Sequence, residues 1–152
     1  MSNYGSRNYG GGRGSSNDSG DVLPSILALV VGAAYLLVGI MGFAITGLGS
    51  WFARDTNESV LGFEINGAHN VVHLAIGALG LLLAWRLGGA RTFGWLLFVG
   101  YGAAFVYGLI AVERENLNFL SLNPADNWLH LGGALLGLVI ALWPTRTPAR
   151  SR

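Results

Sequence analysis

The sequence predicts an all-α protein: an integral membrane four-helix bundle built from two pseudo-repeated helical hairpins. Three observations predict it. Hydrophobic residues make up 52% of the 152 positions and charged residues only 11%, less than half the roughly 25% of an average soluble domain. The hydrophobic residues gather into four runs, each close to the roughly 20 residues that cross about 30 Å of hydrocarbon. The second and fourth runs also repeat one another. A soluble bundle would need polar outward faces, and stretches such as Leu81-Leu82-Leu83 and Val139-Ile140 leave none.

The chain opens with a tail, residues 1–20, rich in Gly, Ser and Asn, in which Asn3-Tyr4-Gly5 recurs as Asn8-Tyr9-Gly10. Such a segment buries too little apolar surface to offset its ordering entropy, so it reads as a disordered cytoplasmic tail. Its Arg, Gly and Tyr residues admit weak RNA or partner binding as an alternative. It lacks the short apolar core and small-residue cleavage site of a signal peptide. Residues 21–145 are expected to form the membrane domain, and residues 146–152 a short basic tail.

The first span runs from about Pro24 to Thr46, with Pro24 suited to a first helical turn. A long outer loop follows, from about Gly47 to Ile65, whose Trp51 and Phe52 suit a membrane interface. The second span runs from about Asn66 to Trp85. A connection at Leu87 to Arg91 is short enough to make the second and third spans antiparallel neighbours. The third span runs from about Thr92 to Val112. The fourth runs from about Pro124 to Trp143, where Asn123-Pro124 is a cap followed by a first-turn proline.

Orientation follows from the basic residues, all nine of which are Arg. Arg7, Arg13, Arg86, Arg91, Arg146, Arg150 and Arg152 fall on one side, and only Arg54 and Arg114 on the other. Basic residues favour the cytoplasmic side, so both termini are expected there.

The repeat is explicit. Asn66 to Leu81 and Asn123 to Leu138 match at eight of sixteen positions at a constant offset of 57. Matches of Leu, Ala and Gly follow from composition, but Asn66/Asn123, Asn70/Asn127 and His73/His130 do not, because polar residues are rare in spans. The first and third spans match poorly. The repeat carries a seam with steps of four and three: Asn66, Asn70, His73, Gly77, Gly80, Ala84 and, on the fourth span, Asn123, Asn127, His130, Ala134, Gly137, Ala141. That spacing turns one stripe toward a partner helix, and its small residues allow close backbone approach. The first span has its own seam of Ala28, Gly32, Tyr35, Gly39, Gly42 and Thr46. The third has Tyr101, Ala104, Gly108 and Ala111.

These seams place Asn70, His73, Asn127, His130, Tyr35 and Tyr101 as one candidate polar cluster. A hydrogen-bonded network that fixes helix register is the plainest reading. A ligand site is the alternative. His73 and His130 on facing helices suit the two axial ligands of a haem b. His69 and His73, four apart, and Asp126 and His130, at the same spacing, suit a divalent metal. Proton or solute movement, or a quinone or lipid pocket, are further readings. The absence of cysteine removes thiolate ligands, disulfides and cysteine nucleophiles. No nucleophile motif or phosphate loop stands out, so no catalytic residues and no enzyme activity are expected.

The paired patterns Asn70-x-x-His73-Leu74-x-x-Gly77 and Asp126-Asn127-x-x-His130-Leu131 resemble a domain-of-unknown-function family of small four-helix bacterial, mainly actinobacterial, membrane proteins. The resemblance covers about residues 24–143. It implies the four-span fold and a bacterial plasma membrane, and it carries no activity. The reading is a small non-enzymatic membrane protein, an accessory or scaffold subunit with no cofactor. Its expected partners are the lipid bilayer and either another membrane protein complex or a second copy of itself. A net charge of +1 adds no nucleic-acid partner. The alternative is a haem- or metal-binding redox protein using His73 and His130.

Overall fold

The computed structural model describes residues 19–49, 51–54 and 56–144. Residues 1–18 and the basic tail 146–152 lie outside the described residues, as do five of the seven arginines that set the expected orientation. Four α-helices carry the fold: α1 (Ser19–Thr46), α2 (Gly67–Leu83), α3 (Leu87–Ala111) and α4 (Pro124–Leu142). Three of them are long and apolar enough to cross a membrane, and α2 is a shorter apolar helix of 17 residues. At 1.5 Å per residue, α2 is about 25 Å long and α1 about 42 Å.

Local chemistry explains most of the boundaries. Asn66 caps α2: its Oδ1 accepts from the His69 backbone N at 2.9 Å. Asn123 caps α4 in a full capping box, in which Asn123 Oδ1 accepts from Asp126 N at 3.0 Å and Asp126 Oδ2 accepts from Asn123 N at 2.8 Å. Pro124 follows in the first turn, where a missing N–H costs nothing.

Two expected boundaries move. α1 begins at Ser19 rather than Pro24, so Pro24 lies inside the helix, where it is fully buried. Helix α3 begins at Leu87, so the expected connection at Leu87 to Arg91 is already helical and the turn is only Ala84 to Arg86. Leu87-Gly88-Gly89 carries two glycines, which weakened the helical signal there. At this end Arg91 Nη2 donates to the Trp143 carbonyl at 2.7 Å, closing the last turn of α4.

The loop between α1 and α2 is more ordered than its composition suggests. Strands β1 (Ser59–Val60) and β2 (Phe63–Glu64) form an antiparallel hairpin. Its two turn residues, Leu61 and Gly62, have φ of 54° and 90°, as a tight two-residue hairpin turn requires. Thr56 Oγ1 donates to the Ile65 carbonyl at 2.8 Å. Asn66 Nδ2 donates to Ala53 O at 2.9 Å and to Phe119 O at 2.8 Å, tying the α1–α2 and α3–α4 loops to the head of α2.

The main packing is within hairpins, α1 on α2 and α3 on α4. Glycines make it close. A Cβ on Gly80 would lie 2.7 Å from Gly32 Cα and 3.2 Å from Ala28 O, and one on Gly77 would lie 2.5 Å from Leu36 N. In the other hairpin a Cβ on Gly137 would lie 2.6 Å from Phe98 N and 2.7 Å from Gly94 O. Between the hairpins sit Phe93, Leu97, Ala28, Val31, Ala134 and Ile140. Large apolar side chains point outward on every helix, with Val30, Leu37, Leu82, Val99, Val106 and Leu142 all more than half exposed. That surface suits a hydrocarbon solvent and not water.

Candidate functional site

The histidines enter the bundle from the first turns of α2 and α4. His69 is the third residue of α2 and Asp126 the third of α4. His73 and His130 each lie one further turn in, on the same face as those residues. Tyr35 and Tyr101 come from the middle of α1 and α3.

Five rings close into a circuit. His69 and His73 have centroids 4.5 Å apart, His73 and Tyr35 5.4 Å, Tyr35 and Tyr101 5.2 Å, Tyr101 and His130 5.2 Å, and His130 and His69 6.2 Å. All three histidines and Tyr101 are buried, and Asp126 is fully so. Gly133 backs the circuit: a Cβ there would lie 3.2 Å from the Tyr35 hydroxyl and 3.3 Å from the Tyr101 ring.

Four of the six residues of the expected cluster meet here, namely Tyr35, His73, Tyr101 and His130. The other two do not join the rings. Asn70 turns into the α1–α2 seam, where it contacts Gly42 and its Nδ2 donates to Thr46 Oγ1 at 3.0 Å. Asn127 turns into the α3–α4 seam and contacts Gly108. Both amides take the space that a glycine opens. His69 replaces them in the circuit. Its place was legible only through its four-residue spacing from His73.

The expected metal set also changes by one member. His69, Asp126 and His130 each bring a ligand atom within 4.8 Å of the others, and His73 is not part of that group. His73 instead packs on Tyr35. Around the circuit the rings of Tyr35 and Tyr101 link His73 to His130 on one side, and His69 links them on the other.

Several buried polar atoms here have no hydrogen-bond partner: Nδ1 of His69, both ring nitrogens of His73, Nδ1 of His130 and Asp126 Oδ1. Native proteins pair roughly nine in ten such groups. Their concentration at one place marks it as chemically unusual. Two apolar grooves reach the rings from opposite sides. One, of about 320 Å³, runs between α1 and α4 under the β-hairpin and exposes Tyr35 and His73. The other, of about 100 Å³, lies between α2 and α3 beside Gly100 and exposes His69, His73, Tyr101 and His130.

A helical membrane domain with a buried histidine–tyrosine core is the class these features define. Within that class, the chain belongs to the family of the domain of unknown function DUF4383, whose profile matches residues 25–143. No curated protein and no solved structure matches it.

Proposed function

We propose that the chain is a non-enzymatic accessory or scaffold subunit of a bacterial plasma membrane, crossing it four times with both termini in the cytoplasm. The observation that carries this reading is the unequal use of glycine. Glycine in a helix interior costs about 1 kcal/mol relative to alanine. Gly32, Gly77, Gly80, Gly94 and Gly137 offset that cost by letting backbones touch inside the hairpins. Gly100 and Gly132 do not: both are exposed, and a Cβ on either would meet nothing within 4 Å. Small positions on a lipid-facing surface suit the close approach of a further helix, from another membrane protein or a second copy of this chain.

The closed seams leave no room for a wide pore within either hairpin, which supports a structural role over solute movement. The two hairpins read as a repeat. Gly42 against Asn70 corresponds to Gly108 against Asn127, and the Gly80 contacts with Gly32 and Ala28 correspond to those of Gly137 with Phe98 and Gly94. The offset is 57 between α2 and α4 and 66 between α1 and α3, counting Tyr35 to Tyr101. The haem alternative is the weaker reading, because the groove onto which both His73 and His130 open is only about 100 Å³, too small for a porphyrin.

The test is native mass spectrometry on chain extracted gently from its own membranes at natural expression. The expected result is a complex with a second polypeptide or a second copy, which Gly100→Leu and Gly132→Leu disrupt while the chain stays helical. A bare chain, or one carrying a porphyrin-sized mass lost in a His73→Gln/His130→Gln double variant, would overturn the reading.

A further inference from the structure

We infer that His69, Asp126 and His130 form a binding site for a divalent cation of the zinc class, which straps the two hairpins together at their outer ends. The geometry stands on three elements. One ligand atom from each residue lies within 4.8 Å of the other two. All three residues are buried, with exposures of 2%, 0% and 3%. Each also presents an unpartnered polar atom: Nδ1 of His69, Oδ1 of Asp126 and Nδ1 of His130.

The donor set selects the cation. Two imidazoles and a carboxylate suit zinc and its first-row neighbours, whereas magnesium and calcium prefer all-oxygen shells. Bonds near 2.1 Å bring tetrahedral ligand atoms to roughly 3.4 Å apart. Binding therefore draws the three side chains inward by about an ångström, within reach of small torsional changes. Asp126 is already oriented for the task, because its other oxygen, Oδ2, is held by the Asn123 N–H at 2.8 Å. Such outer contacts fix the direction of a ligating carboxylate. Three protein ligands leave a fourth position, and the small groove between α2 and α3 reaches the site.

The position gives the site its consequence. The backbones of α2 and α4 do not approach closely among the described residues, and only side chains such as His69 and His130 meet between them. His69 comes from one hairpin and Asp126 and His130 from the other. A cation bound by all three therefore adds a direct α2–α4 link to hairpins that otherwise meet through α1 and α3, α2 and α3, α1 and α4, and the loop bonds of Asn66 and Asn123. This inference is independent of the partner-docking reading above, since metal binding is read on the isolated chain.

The experiment uses the full chain in detergent micelles, stripped with a chelator and then titrated with Co²⁺ and competed with Zn²⁺. The expected result is one Co²⁺ per chain, with a visible absorption band that Zn²⁺ abolishes and a rise in melting temperature on metal addition. Asp126→Asn and His130→Gln each weaken binding at least tenfold, and His73→Gln leaves it within a factor of three. Folded, stripped wild-type chain that binds neither ion overturns the inference, and this outcome needs no variant. Binding that survives in both Asp126→Asn and His130→Gln, or that falls as far in His73→Gln as in His130→Gln, overturns it as well.

Discussion

Replacing Gly77 by alanine puts one methyl group into the tightest part of the α1–α2 seam. The new carbon would lie 2.5 Å from Leu36 N, 2.7 Å from Leu36 Cα and 2.8 Å from Leu36 Cβ. Ordinary carbon contacts are about 3.5–4.0 Å, so α1 and α2 must separate by about an ångström. Two of the three obstructing atoms are backbone, which no rotamer change can move aside. A gap of that size forfeits a quarter to a half of each contact's attraction along the interface. Overpacking of this kind costs about 1–3 kcal/mol, and the gain in helix propensity returns about 1 kcal/mol. The expected net effect is a destabilisation of up to about 2 kcal/mol. Gly100→Ala is the internal control. Open space surrounds it, so only the propensity term acts and stability rises by up to about 1 kcal/mol. Reversible unfolding in mixed micelles, followed by circular dichroism, measures both. Equal shifts for the two variants, or a stabilised Gly77→Ala, would refute the packing argument.

Further outcomes follow from other contacts. Asn66→Ala removes a helix cap and two bonds to Ala53 O and Phe119 O, and should cost about 2–4 kcal/mol in the same unfolding assay. Asn123→Ala removes the α4 cap and an exposed bond to Gly62 O; its cost should be the smaller of the two, about 1–2 kcal/mol. Asn70→Ala breaks the bond to Thr46 and should destabilise by about 0.6 kcal/mol, with about 1.7 as the upper end.

Much of the fold was legible because membrane helices carry redundant signals. The α2 seam was read from a four-three spacing alone, and Asn66, Asn70, His73, Gly77, Gly80 and Ala84 are all buried. Two of the α4 seam residues, Asn123 and Asn127, are only half-buried, unlike their α2 counterparts Asn66 and Asn70. The α1 seam was readable for the same reason, down to Thr46, although its pairing with Asn70 was not. A helix face gives a direction but not a partner. That is why the cluster was drawn with Asn70 and Asn127 inside it: both share a stripe with a histidine, yet a glycine on the facing helix receives each amide. Pro24 and the Gly88-Gly89 pair misplaced two helix ends, since both depress local helix propensity while burial and length decide the outcome. The β-hairpin at Ser59–Glu64 left a weak signal, because its turn uses Leu61 at positive φ where glycine or asparagine is usual. The circuit of rings needed tertiary structure, as it joins four helices at distances that no sequence spacing encodes.

A four-span bundle requires all four helices to cross the membrane, including α2 with only 17 residues. The chain contains no cysteine, so single cysteines can be placed and labelled with a membrane-impermeant maleimide on intact cells. With four spans and cytoplasmic termini, Asn57→Cys and Asn116→Cys should label, and Gly88→Cys and Ser151→Cys should label only after the membrane is opened. Labelling of Gly88→Cys on intact cells, together with Asn57→Cys, would mean that α2 does not cross and would contradict the four-span bundle.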